Sequence, residues 1–366
     1  MIVLLLLMMD TKKEIIKIWR ECFPTDTQAW VDMYFTNAYR EECAMTLTHD
    51  EATVCSLLLQ PYSMTFHGER VGVSYVSGAA TRPQFRNHGY MTELMKLSLA
   101  ESSSRGDMLC TLIPANSRLY FYYAKLGFAT VFYNTVLRYT SAHTFPVEKY
   151  YAPVDTGNID SLYDAFTRLM NDRDCCIQHN REQFETIQAD NRLCDGMFTA
   201  IADEADGQIA AMAWAIPESG NRAMKVIDIL ARDEDSYNAV LRELQLLCPN
   251  KAITVMERPN DNGAVTLTPK GMARLVRPDQ ALITVARKFP SLKSHIRVSD
   301  PILPENNAIY SLSDGEVKVL PYNSRSVELD LDITIEVLTA ILFSSGHIGQ
   351  IMGLPAERPF ISLMLD

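Results

Sequence analysis

A loop between a predicted strand and a predicted helix carries residue types that bind anions. We predict the strand over residues 71–80, the loop over residues 81–89 and a helix directly after them. Such an arrangement directs free backbone N–H groups and the positive end of the helix dipole toward one point. Gly89 permits the backbone to approach a diphosphate, and Arg86 and His88 add side-chain donors without a metal. We therefore expect a phosphate-bearing ligand here.

Two absent motifs narrow the identity of that ligand. Neither the GxxxxGK[ST] sequence of ATP sites nor the GxGxxG sequence of dinucleotide sites occurs in the chain, which disfavours ATP and NAD. The Arg-x-x-Gly pattern of residues 86–89 is short, and by itself a solvated loop would explain it equally well. Its context adds weight, because a second distinctive segment, residues 116–128, follows about thirty residues later.

The two segments together resemble signatures of the GNAT superfamily of acetyltransferases. Residues 86–91 resemble its Arg/Gln-x-x-Gly-x-Gly/Ala loop, with Met91 at the last position, and residues 116–128 are similar to its Asn…Tyr-x-Lys-Leu-Gly-Phe element. The resemblance implies an acetyl-coenzyme A site whose pantetheine enters between splayed strands over residues 71–80 and 108–113. The coenzyme-binding residues that it implies are Ala79, Ala80, Thr81, Arg86, Asn87, His88, Gly89, Tyr90, Met91, Thr92 and Asn116.

The same resemblance points to a chemical role for Tyr123. Acetyl transfer to an amine requires that the departing thiolate gain a proton. A phenol with a pKa of about 10 can donate that proton to sulfur. Aromatic residues clustered on a short helix mostly pack, and we expect that of Tyr120, Phe121 and Tyr122. We interpret Tyr123 as the general acid, and the backbone of residues 79–81 as the group that polarises the thioester carbonyl.

The elements that must position these residues form a first domain. The predicted strands lie at residues 43–48, 52–60, 63–67, 71–80, 108–113 and 128–139. The predicted helices begin at residue 12 and cover residues 28–39, the stretch after Gly89, and residues 117–125. The first four strands should form an antiparallel meander ahead of the loop.

Residues 151–270 repeat this order in a weaker form. Strands over residues 197–203, 208–216 and 225–231, followed by a helix over residues 236–246, echo residues 52–100. Residues 232–235, Arg-Asp-Glu-Asp, stand at the place of the anion loop, where three carboxylates would repel a diphosphate. Capping of the following helix is an equally simple explanation of these acids. On either interpretation we expect no second coenzyme site.

In length and order the chain is similar to the Eis-like acetyltransferases. The fold class implied is α+β, with a catalytic GNAT domain over residues 1–150, a degenerate GNAT-like domain over 151–270 and a sterol carrier protein-like domain over 271–366. Residues 272–276 and 359–366 resemble the entry to that third domain and its tail. In Eis proteins the terminal α-carboxylate is the general base, which implies this role for Asp366. A docked tail with its charge at the surface is the alternative.

Composition limits the partners. A net charge of −11 disfavours nucleic acid and suits a cationic acceptor. The eight cysteines form no CxxC and no zinc spacing, so we expect reduced thiols and no metal. Residues 2–9 are apolar but are too short to span a bilayer and lack a basic n-region, so we expect a buried strand in preference to a targeting signal. We also expect no membrane partner and a cytoplasmic protein.

The function expected from these observations is acetyl-coenzyme A-dependent N-acetylation. The acceptor would be a small cationic amine, similar to an aminoglycoside, a polyamine or lysine. The alternative is a non-catalytic sensor that binds coenzyme A or a lipid, which the presence of Arg86, Gly89 and Tyr123 disfavours. The Eis resemblance also implies a homo-oligomer, with a hexamer as the implied form.

Overall fold

The computed structural model describes residues 11–220, 222–259, 266–343 and 347–365. The strand expected over residues 2–9 and the role expected of Asp366 lie outside these residues. The described helices are α1 Thr11–Cys22, α2 Gln28–Asn37, α3 Tyr90–Ser104, α4 Ser117–Ala124, α5 Ile159–Asn171, α6 Arg181–Leu193, α7 Glu234–Leu247, α8 Pro278–Lys288 and α9 Ile335–Phe343. The described strands are β1 Ala44–His49, β2 Ala52–Phe66, β3 Glu69–Thr81, β4 Leu109–Leu112, β5 Ala129–Tyr139, β6 Tyr151–Pro153, β7 Ile177–Gln178, β8 Met197–Asp203, β9 Ile209–Pro217, β10 Ala223–Ala231, β11 Ala252–Glu257, β12 Thr268–Leu275, β13 Ser294–Ser299, β14 Ala308–Ser313, β15 Glu316–Pro321 and β16 Leu331–Thr334.

Contacts within the chain divide it into two compact units. Unit one comprises residues 1–132, 271–357 and 366, and unit two comprises residues 133–270 and 358–365. The division into domains at 1–150, 151–270 and 271–366 stays a prediction.

Unit one contains a sheet in which β1, β2, β3, β4 and β12 lie side by side. The pairs β1–β2 and β2–β3 are antiparallel, which confirms the predicted meander. The β3–β4 pair is parallel, and α3 makes the connection. Helix α3 can cover the sheet because Leu94, Met95 and Leu99 recur on one of its faces and are fully buried in the core.

Strand β2 is longer than the sequence predicts. Residues 52–60 and 63–67 were predicted as two strands, but one continuous strand, Ala52–Phe66, runs through both, so this prediction is wrong. Strand β1 pairs with β2 only as far as Leu58, so Pro61 lies beyond the end of that ladder. A proline costs little where the strand has no β1 hydrogen bond to lose.

Strand β12 was not predicted as a strand. Residues 272–275 pair with β4 in antiparallel register, so this segment completes the unit one sheet. Arg274 in this strand is fully buried, and its guanidinium lies 2.6 Å from an Asp300 carboxylate oxygen and 2.8 Å from the Leu126 carbonyl oxygen. Unit one also holds a four-stranded sheet in the order β15-β14-β13-β16. Residues 333–334 pair with β13, and α9 therefore begins at residue 335.

The unit two sheet has the order β5-β11-β10-β9-β8-β6. Its β9–β10 pair is antiparallel, and its β10–β11 pair is parallel with α7 as the connection. This repeats the unit one order of β2, β3, α3 and β4. Strand β11 was missed by sequence reasoning, since a six-residue buried strand carries little periodic signal.

Candidate active site

Strand β3 bends at a bulge before it reaches the predicted anion loop. Ser77 pairs with Leu58 and Ala80 pairs with Ser56, so two residues of β3, Gly78 and Ala79, lie opposite one residue of β2. Gly78 has a φ of +60°, and a Cβ atom there would lie 2.1 Å from Cζ3 of Trp19. Only glycine fits this position. The bulge re-aims the backbone of the residues that follow it.

Beyond the bulge, β3 and β4 no longer pair. Their parallel register runs only from the Val73–Leu109 pair to the Tyr75–Thr111 pair, whereas β3 continues to Thr81. A pocket of about 700 Å³ opens at this end of the two strands. Its volume lies in the range of small-molecule sites.

The pocket brings together nearly all of the residues singled out from the sequence. The predicted residues that line it are Ala79, Ala80, Thr81, Arg86, Asn87, Gly89, Tyr90, Met91, Thr92, Asn116 and Tyr123. His88 is not among the lining residues, because its Nδ1 lies 2.8 Å from the Arg86 carbonyl oxygen and its ring stacks near Tyr90. Sequence reasoning did not single out the other lining residues, which are Cys22, Phe23, Phe85, Ala115, Leu119 and Tyr122.

The N-terminus of α3 opens toward this pocket without a side-chain cap. Gly89 is the N-cap, has a φ of +88° and makes no capping hydrogen bond. A Cβ atom at Gly89 would meet no heavy atom within 4 Å, so open space surrounds it. The first amides of a helix have no intrahelical partner. Here they remain available to an anion, and the helix dipole adds positive potential.

Two arginines hold the loop in place. Arg86 is exposed, and its Nε donates to the Thr81 carbonyl oxygen at 3.1 Å. Arg82 is anchored by Glu14 at 3.1 Å and by Glu21 at 2.6 Å. No local pattern indicates the role of Arg82, because its partners Glu14 and Glu21 lie about sixty residues earlier on α1. Arg82 fixes the loop, and Arg86 adds a positive charge beside the open helix end.

Tyr123 lies on α4 with 7% of its surface exposed. Burial raises the pKa of its phenol, with smaller contributions from Tyr122 and Cys110, so the hydroxyl stays protonated at neutral pH. None of the described residues hydrogen-bonds that hydroxyl, although Tyr122 next to it pairs with Thr92 at 3.3 Å. The Tyr123 phenol is therefore a protonated donor at the pocket wall. The Asn116 side chain instead caps α4 by accepting from the Arg118 N–H at 3.1 Å.

A family model matches the part of the sequence that forms this pocket. Residues 7–131 match the family model described as an acetyltransferase (GNAT) domain. The match covers the bulged strand, the loop and Tyr123, and it confirms the expected α+β GNAT fold and the expected acetyltransferase enzyme. No curated protein sequence is detectably similar to the chain.

Solved structures resemble the chain well beyond the GNAT domain. A GCN5-related N-acetyltransferase from Anabaena variabilis has 15% identity and a TM-score of 0.74, and the match covers 94% of this chain and 91% of that one. Eis1 from Mycobacterium abscessus has 14% identity and a TM-score of 0.72, with 92% and 88% covered. A probable N-acyltransferase from Enterococcus faecalis has 14% identity and a TM-score of 0.73, with 96% and 97% covered. At these identities the likeness, including the expected likeness to Eis proteins, concerns the fold.

Three further expectations concerned membrane-spanning helices, the cysteines and the third domain. No helix within the described ranges is long and apolar enough to cross a membrane. All eight cysteines are free thiols. A sterol carrier protein-like third domain stays a prediction.

Proposed function

We propose that the GNAT domain transfers an acetyl group from acetyl-coenzyme A to a primary amine of a small cationic acceptor. One observation carries this proposal: a single pocket joins the unpaired end of β3, the uncapped start of α3 and the buried phenol of Tyr123. The unpaired end of β3 suits a pantetheine arm, and the start of α3 suits a diphosphate. The Tyr123 phenol suits a departing thiolate.

The division of labour follows from these positions. Backbone groups of Ala79, Ala80 and Thr81 would bind the pantetheine arm and polarise the thioester carbonyl. The α3 amides, Gly89 and Arg86 would bind the diphosphate. The amine nitrogen forms a bond to the acetyl carbon as the carbon–sulfur bond breaks, and Tyr123 donates its proton to the sulfur. The phenol then recovers a proton from solvent.

The amine must lose a proton before or during its attack, so a general base completes the proposal. We assign this role to the terminal carboxylate of Asp366, which lies outside the described residues. The support for this assignment is the resemblance to Eis proteins. A docked tail without a catalytic role is the alternative that mutation would distinguish.

The acceptor class, the assembly and the location are further parts of the proposal. A net charge of −11 favours a cationic acceptor. We infer a homo-oligomer, with a hexamer as the first form to test, in the cytoplasm. A stable monomer at micromolar concentration in light scattering would overturn the inferred assembly.

A thiol-release assay tests the activity directly. The full chain is mixed with acetyl-coenzyme A and a panel of aminoglycosides, polyamines and lysine derivatives, each beside a non-amine analogue. We expect thiol release with one amine class and acetylated amine in the product. If no amine accelerates thiol release although acetyl-coenzyme A binds in calorimetry, the proposed reaction is wrong.

A further inference from the structure

Unit two contains a second pocket between splayed parallel strands. Strands β10 and β11 pair from Ala223–Ala252 to Val226–Val255, and β10 then continues to Ala231. The register of β10 against β9 shifts between Val226 and Asp228, which marks a bulge at the same place as in β3. A pocket of about 490 Å³ lies beyond this point. Beyond this point β10 and β11 do not pair, and the Ile229 carbonyl oxygen accepts a hydrogen bond from the Arg173 guanidinium instead.

The start of α7 at this pocket is closed to anions. The Asp233 side chain accepts from the Ser236 N–H at 2.8 Å, and the Ser236 hydroxyl oxygen accepts from the Asp233 N–H at 3.0 Å. These bonds form a complete capping box. The Lys149 ammonium group lies 3.0 Å from the second carboxylate oxygen of Asp233 and forms an ion pair with it. A diphosphate would meet the Asp233 carboxylate and an engaged Ser236 amide here, which disfavours coenzyme A in this pocket.

The charges that line the pocket are mainly negative. Four carboxylates, Asp228, Asp233, Glu234 and Glu257, face two guanidinium groups. Both guanidinium groups already have partners. Arg173 forms bonds of 3.0 Å to both oxygens of Asp228. Arg258 donates to the carbonyl oxygens of Arg358 and Asp174 at 2.6 and 2.7 Å.

Glu257 is the partly buried lining carboxylate that lacks a cation among the described residues, whereas Glu234 is exposed. Among the described residues only the Tyr237 hydroxyl hydrogen-bonds it, and no described cation acts on it. Burial raises the pKa of this carboxyl group. A partly buried carboxylate without a positive partner is energetically costly, and a bound cation would offset that cost.

The walls around Glu257 suit an organic cation better than a metal ion. Tyr139 and Tyr237 flank the carboxylate, and six apolar side chains also line the pocket. These are Leu137, Ile229, Ala231, Val255, Met256 and Phe360. We propose that this unit two pocket binds a small organic ammonium ion, with Glu257 as its counter-ion and the rings of Tyr139 and Tyr237 beside the charged group.

Paired probes test this inference on the full chain. Benzylammonium and its uncharged isostere benzyl alcohol are titrated by calorimetry against the wild type and against Glu257→Gln, with coenzyme A saturating. We expect benzylammonium binding that weakens at least about tenfold in Glu257→Gln, because a charge-assisted hydrogen bond is lost. Glu204→Gln, an exposed carboxylate of unit two, is the matched control and should bind as the wild type does.

A second variant and a second readout protect the test against misfolding. Ala231→Leu keeps Glu257 and narrows the pocket, so it should also weaken binding of benzylammonium. Coenzyme A affinity, measured on the same samples, should stay unchanged in both variants, which separates this inference from the proposed function. Equal affinity for benzyl alcohol, wild-type binding in Glu257→Gln, or a benzylammonium Kd above roughly 10 mM would each overturn the inference.

Discussion

The helices α3 and α7 start in similar surroundings and end up with opposite preferences for charge. Each follows a bulged strand and lies beside a parallel pair of strands that stops pairing early. At α3 the N-cap is Gly89, with no side-chain capping bond. At α7 the N-cap is Asp233, inside a complete capping box. Whether the start of the helix favours or repels an anion is therefore set by the few residues before it and not by the strand topology.

The two bulges also differ in how they are built. The β3 bulge contains Gly78 at a positive φ, with Trp19 packed where a side chain would be. The β10 bulge contains Ile227, which is not among the residues with a positive φ. The unit one bulge thus depends on one glycine, and the unit two bulge does not. This difference makes Gly78 a sensitive position for the candidate active site.

The largest effect should come from the proton donor in the unit one pocket. Tyr123→Phe should lower turnover by about 10²- to 10⁴-fold while leaving coenzyme A affinity nearly unchanged. The phenol acts when the sulfur gains charge and contributes little to ground-state binding. Steady-state kinetics and calorimetry on a verified amine substrate give the two numbers.

Tyr120→Phe is the matched control, because Tyr120 lies on the same helix and does not line the pocket. Its turnover should equal that of the wild type. Wild-type turnover in Tyr123→Phe, or an equal loss in Tyr120→Phe, would mean that Tyr123 only packs.

The next effect concerns the bulge. Gly78→Ala should lower the free energy of unfolding by about 2–4 kcal/mol, because the added Cβ overlaps the Trp19 ring and φ is positive. Gly68→Ala is the control, since Gly68 has a φ of +84° but open space around its Cα. Denaturant unfolding should show a clearly smaller loss for Gly68→Ala. Similar losses for both variants would show that backbone strain dominates and that Trp19 yields easily.

A smaller effect should come from a negative charge placed at the uncapped start of α3. Gly89→Asp should weaken coenzyme A binding at least about tenfold, because it places a carboxylate at the anion site of α3 as Asp233 does at α7. Gly89→Ala introduces the same backbone strain without charge and should weaken binding less. Calorimetry should find one coenzyme A site per chain. Two coenzyme A sites per chain, or unchanged coenzyme A binding in Gly89→Asp, would contradict the inferred difference in anion binding between α3 and α7.

The smallest effect concerns the α7 cap. Asp233→Ala should lower the free energy of unfolding by about 1 kcal/mol, whereas Asp233→Asn should retain most of it. The Ser236 N–H lowers the pKa of Asp233 to about 2. A carboxylate whose folded-state pKa is lowered stabilises above its unfolded pKa and loses that contribution as the pH falls through the folded value.

The difference between wild type and Asp233→Ala should therefore be full above about pH 4 and shrink toward pH 2. Thermal melts at a series of pH values measure it. A constant difference across that range would contradict the assigned role of the Asp233 charge.

Much of the candidate site could be predicted from local sequence. The strand, loop and helix around Gly89 follow from apolar periodicity and one glycine, and the pocket contains all of the predicted described residues except His88. The His88 imidazole lies against the Arg86 carbonyl oxygen, a contact that sequence spacing does not reveal, and its role in coenzyme binding stays a prediction. Cys22 and Phe23 were not predicted to line the pocket, because they lie at the C-terminal end of α1, far in sequence from the loop.

The sequence by itself determined the start of α3 at Gly89 and the acidic start of α7, because caps and glycines act within a few residues. Only the tertiary structure decided where strand pairing stops, because the ends of β3 and β4 are set by partners distant in sequence. It also decided that residues 272–275 complete the unit one sheet and that Arg274 is buried against Asp300. Ladder hydrogen bonds and buried ion pairs join residues without any fixed spacing, so no local pattern announces them.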